Sequence, residues 1–235
     1  MSTALKAIHI HAFDFWLARL SVVIIAALQL LLPNDLTIGP NWLAPAVELA
    51  LLVPLSALTA STQVLARDAT MDHHWQVVEQ RRRVIQNVAI LLTAVVSLMN
   101  LAALAELIQA LLSGRAGNIG QPLLLDAINI WATNLIVFTL WFWAIDRGGP
   151  ANRGLVEPKD DFLFPQMTLD RADGDGPWSP GFIDYLYVSF TNAAAFSPTD
   201  TMPLTARAKM LMMLQASISL LTIALVAARA VNILA

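Results

Sequence analysis

The sequence predicts an all-α integral membrane protein with five transmembrane helices and one shorter, re-entrant helix. Two observations lead to this fold class. The 235 residues are 57% hydrophobic and only 13% charged, with a mean hydropathy of +0.62, whereas soluble domains carry about 25% charged residues. The apolar residues are also concentrated in stretches of about 20 residues, the length that crosses a bilayer as a helix.

Five long apolar stretches follow one another along the chain and predict the membrane spans. They are Phe13–Leu32, Trp42–Leu65, Val84–Leu112, Leu123–Ile145 and Ala206–Leu234. Pro33 stops the first stretch, and Asp146 together with Gly148-Gly149-Pro150 stops the fourth, because these residues do not continue an apolar helix readily. No small-residue cleavage site follows the first stretch, so we expect it to be a retained span and not a signal peptide.

A sixth apolar segment, Gly181–Phe196, is too short to cross a bilayer comfortably, and its length suits a re-entrant helix. Ser179 and Pro180 predict its beginning, since serine caps helices and proline favours the first helical position. Pro198 predicts its end. The preceding segment, Arg147–Pro177, is rich in Pro, Gly and Asp without periodicity, which predicts a loop.

The order of residues from Asp184 to Arg229 resembles the pore module of bacterial potassium channels. Such modules join an aromatic-rich pore helix, a T-V-G-Y-G-D filter, a short P-L-T link and a long apolar inner helix. The corresponding landmarks are Ser189-Phe190-Thr191, Asp200, Pro203-Leu204-Thr205 and Ala228-Arg229. The resemblance covers about a fifth of the chain and implies a homotetramer in the lipid bilayer, with monovalent cations as partners.

The selectivity filter is where the chain departs from that family. In place of T-V-G-Y-G it has Ala195, Phe196, Ser197, Pro198 and Thr199. A potassium filter aligns rings of backbone carbonyls, which requires backbone angles that glycine adopts easily. Because no glycine is present and Pro198 fixes its own φ angle, we expect no conventional potassium filter. Ser219 stands in the place of the inner-helix hinge glycine.

The resemblance implies two regions, a three-helix membrane region at 1–120 and a channel-like pore module at 121–235. The module would consist of an outer helix at 121–146, a polar loop at 147–179, a pore helix at 180–196, a filter-equivalent loop at 197–205 and an inner helix at 206–235.

The whole chain also resembles an uncharacterised family of bacterial inner-membrane proteins. The landmarks of that resemblance are Arg81–Arg83 before the third span, Phe164-Pro165 in the long loop and Asp184–Thr191. It implies a multi-pass protein of the bacterial inner membrane and carries no activity.

Two residues near the filter position have alternative interpretations. Asp200 either forms an acidic ring that attracts cations at a pore mouth, or caps a helix or pairs with Arg207 or Lys209. Phe196 either forms a hydrophobic constriction that gates by dewetting, or plugs an inactive vestibule.

Polar residues within the predicted helices are further candidates. Asn192 either lines a cavity in the pore helix or makes a helix–helix hydrogen bond, which is common for membrane asparagines. Ionisable groups inside a membrane are costly and suggest function, or they lie near span ends and reach the interface. These groups are Glu48, Glu106, Asp126 and Arg229.

Composition and motifs argue against several other classes. The net charge of −3 argues against nucleic-acid binding, and the absence of cysteine excludes thiolate chemistry. The adjacent His73 and His74 lack the third or fourth ligand that a metal site needs. No nucleophile–base pairing, phosphate-binding loop or dinucleotide fingerprint is visible. We therefore expect no enzyme activity, no cofactor and no metal.

The distribution of positive charges predicts that the N-terminus lies inside the cell. Six basic residues, Lys6, Arg19, Arg67 and Arg81–Arg83, would then face the cytoplasm, and among short segments only Arg115 would face outward, as the positive-inside rule favours. This orientation puts the pore-like segment on the cytoplasmic side, opposite to its position in potassium channels.

Three classes of function remain, in the order in which the sequence favours them. The first is a channel-like protein that is weakly selective or conditionally conducting through Phe196–Asp200. The second is a non-conducting membrane scaffold or sensor, with the loop before the pore-like helix as its contact surface. The third is a small proton-coupled transporter that uses Glu106 or Asp126, although the inverted repeat of many transporters is not visible.

Overall fold

The structure is a computed structural model, and it describes residues 2–31, 42, 45–46, 48–50, 53, 72–112, 120–149, 159–169, 178–194 and 200–234. Most of these residues belong to five α-helices, and four of them form a pair of very short strands. The helices are α1 (Ser2–Leu31), α2 (Asp72–Leu112), α3 (Gly120–Ile145), α4 (Phe182–Ala194) and α5 (Ala206–Leu234). The described part of the chain is therefore mostly helical, as expected for an all-α membrane protein.

Four of the described helices are long and apolar enough to cross a membrane. The candidate spans are Phe13–Leu30, Arg83–Leu112, Leu124–Gly148 and Ala206–Ala228. Seven residues of the predicted second span, Trp42–Leu65, are described, and six of them are helical; the rest of that span lies outside the described residues. Helix α4 has 13 residues and a length of about 20 Å, which is less than the roughly 30 Å of a hydrocarbon core.

Helix α3 is the centre of the molecule. It packs against α1, α2, α4 and α5, and 67% of its apolar span is buried, compared with 28% for each of the other three spans. Its end is set by three consecutive residues with positive φ, Arg147 (53°), Gly148 (71°) and Gly149 (82°). A Cβ atom on Gly149 would lie 2.7 Å from the carbonyl oxygen of Ala144, so this close turn requires glycine.

The segments before and after the short helix α4 both lie at the C-terminal end of α3. Tyr185, in the first turn of α4, contacts Asp146 just after α3. After α4 the chain reaches strand β2 (Met202–Pro203), which pairs antiparallel with strand β1 (Phe162–Leu163). The backbone N–H of Asp161, the residue before β1, donates to the Asp146 carboxylate. Both flanks of α4 are thus held beside the C-terminal end of α3.

Two expectations about element boundaries differ from the structure. Helices α1 and α2 begin at Ser2 and Asp72, eleven and twelve residues before the predicted spans, because a helix continues into polar sequence that hydropathy does not detect. Within the predicted loop, Phe162–Leu163 form a strand and Pro165–Met167 form a 3₁₀ turn. A two-residue pairing depends on a distant partner and leaves no periodic pattern.

Candidate functional site

A buried polar network joins α4 to α5 at the C-terminal half of α4. The Asn192 amide nitrogen donates to the Met212 carbonyl (2.9 Å) and to Gln215 Oε1 (2.8 Å). The Gln215 amide nitrogen donates in turn to the carbonyl (3.0 Å) and hydroxyl (2.6 Å) of Ser189. Asn192, Gln215 and Ser189 are all buried, so these bonds replace the water that the groups would otherwise need.

Helix α3 completes this interhelical network. The Ser189 hydroxyl donates to the Leu135 carbonyl (2.6 Å). The Asn134 amide nitrogen donates to the Ser219 hydroxyl (2.9 Å) and lies 3.4 Å from the Gln215 carbonyl. Side chains from three helices therefore fix the register of α4 between α3 and α5, in surroundings where polar groups have few alternative partners.

A second polar cluster lies at the end of α3, and Asp146 is its centre. Its Oδ2 accepts a hydrogen bond from the Tyr185 hydroxyl (2.5 Å). Its Oδ1 accepts from the backbone N–H groups of Asp161 (2.7 Å) and Phe162 (3.3 Å). Asp146 is fully buried, and these three donors compensate its charge locally.

Asp161 extends this clamp to the beginning of α5. The guanidinium of Arg207 donates to both carboxylate oxygens of Asp161, in the bidentate geometry that arginine favours. The Thr205 hydroxyl donates to the same carboxylate, and Arg207 also donates to the Ile145 carbonyl (3.2 Å). We call Asp146, Asp161, Tyr185, Thr205 and Arg207 the polar clamp.

The N-terminus of α4 is capped by two carboxylates. Asp184 Oδ2 accepts from the Gly181 N–H (2.7 Å), and Asp14 Oδ1, on α1, accepts from the Phe182 N–H (2.9 Å). The sequence predicted a start at Ser179-Pro180, but the helix begins at Phe182. Asp14 supplies the additional acceptor from a distant helix, which local sequence cannot reveal.

Aromatic rings surround the polar clamp. The ring centroid of Phe162 lies 5.3 Å from that of Phe142 and 6.4 Å from those of Phe164 and Tyr185. Trp143 packs against Phe182 at 5.5 Å. This apolar shell keeps the clamp carboxylates out of water, which strengthens their hydrogen bonds.

The predicted filter residues are only partly within the described structure. Ala195, Phe196, Ser197, Pro198 and Thr199 lie outside it. Asp200 is exposed and has a polar or electrostatic partner. Arg207, one of the two partners expected for Asp200, forms its bidentate ion pair with Asp161.

The other predicted site residues occupy separate places. Asn192 and Ser219 belong to the interhelical network. Glu106 is half-buried on α2, and Asp126 is buried near the beginning of α3. The side chain of Arg229 lies outside the described structure. Glu48 is buried and accepts from the Gln29 amide (2.9 Å). The described residues include no group of three that could hold a metal ion.

Sequence reasoning missed the residues that organise both clusters. Gln215 could have been found, because it is the one amide in the apolar stretch Met210–Leu221 and polar residues in spans are costly. Asp146 was interpreted only as a helix stop. Asp161 had no distinguishing signal, since the loop around it contains several aspartates.

The arrangement positions the short helix α4 between α3 and α5. Its hydrogen bonds are made between protein groups. Comparisons with protein-family models, with curated proteins and with solved structures found no match.

Proposed function

We propose that this chain is the subunit of a channel-like homotetramer in the bacterial inner membrane, weakly selective or conditionally conducting and without a conventional potassium filter. The observation that carries the proposal is the position of α4. It is too short to cross a bilayer,, its flanks are held at one end of α3, and α3 and α5 enclose it.

Two further features support the proposal. The interhelical network fixes α4 through Ser189, Asn192 and Gln215, so the segment that follows it starts from a defined position. In the resemblance to potassium channels these elements correspond to the outer helix, pore helix and inner helix. Conduction would then pass through Phe196–Asp200, with Asp200 attracting cations and Phe196 restricting the path.

A non-conducting scaffold is the second candidate, and the exposed face of α5 favours it. Large apolar side chains occupy this face, among them Met210, Met213, Leu220 and Leu221. The polar residues Gln215, Ser219 and Thr222 are buried on the opposite face. If the exposed face of α5 lined the central axis of the tetramer, the path along that axis would be apolar. A narrow apolar path excludes water and ions.

Cation flux into liposomes separates the two candidates. Purified protein would be reconstituted with a cation-sensitive dye inside the vesicles, and Phe196→Ala compared with the unsubstituted chain. If Phe196 restricts a conducting path, removal of its ring raises the flux. Asp200→Asn would lower the preference for cations over anions, because the acidic ring would lose its charge.

The control is Phe13→Ala, which removes a phenylalanine that is 64% exposed on α1 and distant in sequence from the pore-like segment. We expect this variant to match the unsubstituted chain. Flux equal to that of protein-free liposomes in both the unsubstituted chain and Phe196→Ala would contradict conduction and favour the scaffold.

A further inference from the structure

A cavity of about 290 Å³ lies between the middle parts of α2, α3 and α5. This volume is close to the lower end of the roughly 300–1,000 Å³ typical of small-molecule sites. Its walls include Ala94 and Asn100 from α2, Phe138 and Trp141 from α3, and Leu214 and Ile218 from α5. The cavity is separate from the polar clamp.

The mouth of the cavity faces the surface that the bilayer would cover. Leu98 and Leu214 line the cavity and are also 67% and 48% exposed. Both belong to candidate membrane spans. A molecule dissolved in the lipid could therefore enter laterally, without passing through water.

Most polar groups in the cavity wall already have partners. The Ser97 hydroxyl accepts from Trp141 Nε1 (2.9 Å) and donates to the Thr93 carbonyl (2.6 Å). The Asn134 amide nitrogen donates to the Ser219 hydroxyl (2.9 Å). These groups hold the wall together and are not available to a ligand without loss of an existing bond.

Asn100 differs from them. Its side chain is only 7% exposed and lines the cavity, and within the described ranges its amide makes no side-chain hydrogen bond. An amide that lines an apolar cavity without a hydrogen-bond partner carries an energetic cost. A ligand group that reaches this amide would recover that cost.

We propose that the cavity is a binding site for a small, neutral, lipid-soluble molecule that carries one carbonyl or hydroxyl group. The apolar walls take its ring or short chain, and the Asn100 amide takes its polar group. No residue that lines the cavity is charged, so an ion would lose its hydration without compensation. A plain acyl chain would leave the Asn100 amide without a partner.

Benzophenone is a suitable probe, because it combines two apolar rings with one ketone acceptor and inserts into C–H bonds on irradiation. The full chain in lipid nanodiscs would be labelled over a range of probe concentrations, and the labelled peptides identified by mass spectrometry. We expect saturable labelling of α2 near Ala94–Leu101 and of α5 near Leu211–Ile218.

Two competitors test the hydrogen bond. Diphenylmethanol retains a polar group, whereas diphenylmethane lacks one. Against the unsubstituted chain we expect diphenylmethanol to compete about fivefold more strongly, the ratio that one net hydrogen bond supplies. In Asn100→Leu, which keeps the volume and removes the amide, the two competitors should become equal.

A matched pair of variants tests the location. Ala94→Trp fills the cavity and should abolish saturable labelling. Ala105→Trp adds the same ring to an exposed position of the same helix and should preserve it. Labelling that does not saturate, that is unchanged in Ala94→Trp, or that ignores the competitor's hydroxyl would overturn the proposal. Loss of labelling together with a change of oligomer size in Ala94→Trp would instead assign the cavity to a second copy of the chain.

Discussion

At the scale of single residues, Gln215 connects more of the membrane interior than any candidate from the sequence. Its amide accepts from Asn192 and donates twice to Ser189, and it is fully buried. Each group is complementary to the next, so the loss of Gln215 removes one partner of Asn192 and two hydrogen bonds to Ser189. A half-satisfied polar network is costly where water is absent.

We therefore expect Gln215→Leu to lower the free energy of unfolding by about 2 kcal/mol, the sum of small interhelical hydrogen bonds and newly orphaned groups. Denaturant titration in bicelles would measure the difference. Met213→Leu, two residues away on the exposed face, is the control and should change little. A Gln215→Leu variant as stable as the control would show that packing alone positions α4.

At the scale of elements, the polar clamp holds α3, α4 and α5 together at one end of the molecule. Asp161 is fully buried, whereas the Arg207 side chain is 56% exposed. Breaking a fully buried pair costs about 3–5 kcal/mol, and an exposed pair contributes at most about 1 kcal/mol. The half-exposed pair should lie between these limits.

We expect Arg207→Gln and Asp161→Asn each to lower the free energy of unfolding by about 2 kcal/mol. The double variant should lose less than the sum of the two, because the second substitution removes a group that has already lost its partner. Lys209→Gln, which is exposed on the same turn, controls for the change in net charge. Strict additivity of the two substitutions would argue that the clamp is not an energetic unit.

The sequence predicts some elements well for a physical reason. Helices expected at 121–146 and 206–235 are observed at Gly120–Ile145 and Ala206–Leu234. Apolar composition reports these boundaries directly, and Gly148-Gly149 follow the end of the first of the two helices. The clamp could not be predicted, because Asp161 and Arg207 are 46 residues apart and only the folded chain brings them together. Asn192 was expected either to line a cavity or to bond a helix, and its hydrogen bonds to α5 are now visible.

At the scale of the whole molecule, the number of spans and their orientation are coupled. The described residues contain four candidate spans, and the sequence predicts a fifth at Trp42–Leu65. If Trp42–Leu65 crosses the membrane, two spans precede Arg81–Arg83, and the N-terminus and Arg81–Arg83 lie on the same side. If it does not, they lie on opposite sides, and the positive-inside rule no longer applies to both.

Reporter fusions can determine both properties in one series. Alkaline phosphatase, active outside the inner membrane, and green fluorescent protein, fluorescent inside, would be fused at the N-terminus and after Thr70, Gly117 and Gly154. We expect the N-terminus, Thr70 and Gly154 inside and Gly117 outside, because Lys6, Arg67 and Arg81–Arg83 then face the cytoplasm,.

Other results of the reporter fusions would place the polar clamp on a different side of the membrane. If the reporter at Thr70 lies outside while the N-terminus lies inside, Trp42–Leu65 does not cross the membrane. An inverted pattern at all four sites would keep five spans and reverse the molecule. In both cases Gly154 lies outside, and the polar clamp and the flanks of α4 would face outward, on the side where potassium channels place their filter. An inside reporter at Gly154 would instead place Asp200 and the flanks of α4 on the cytoplasmic side, so the liposome experiments should test cation access to Asp200 from that side.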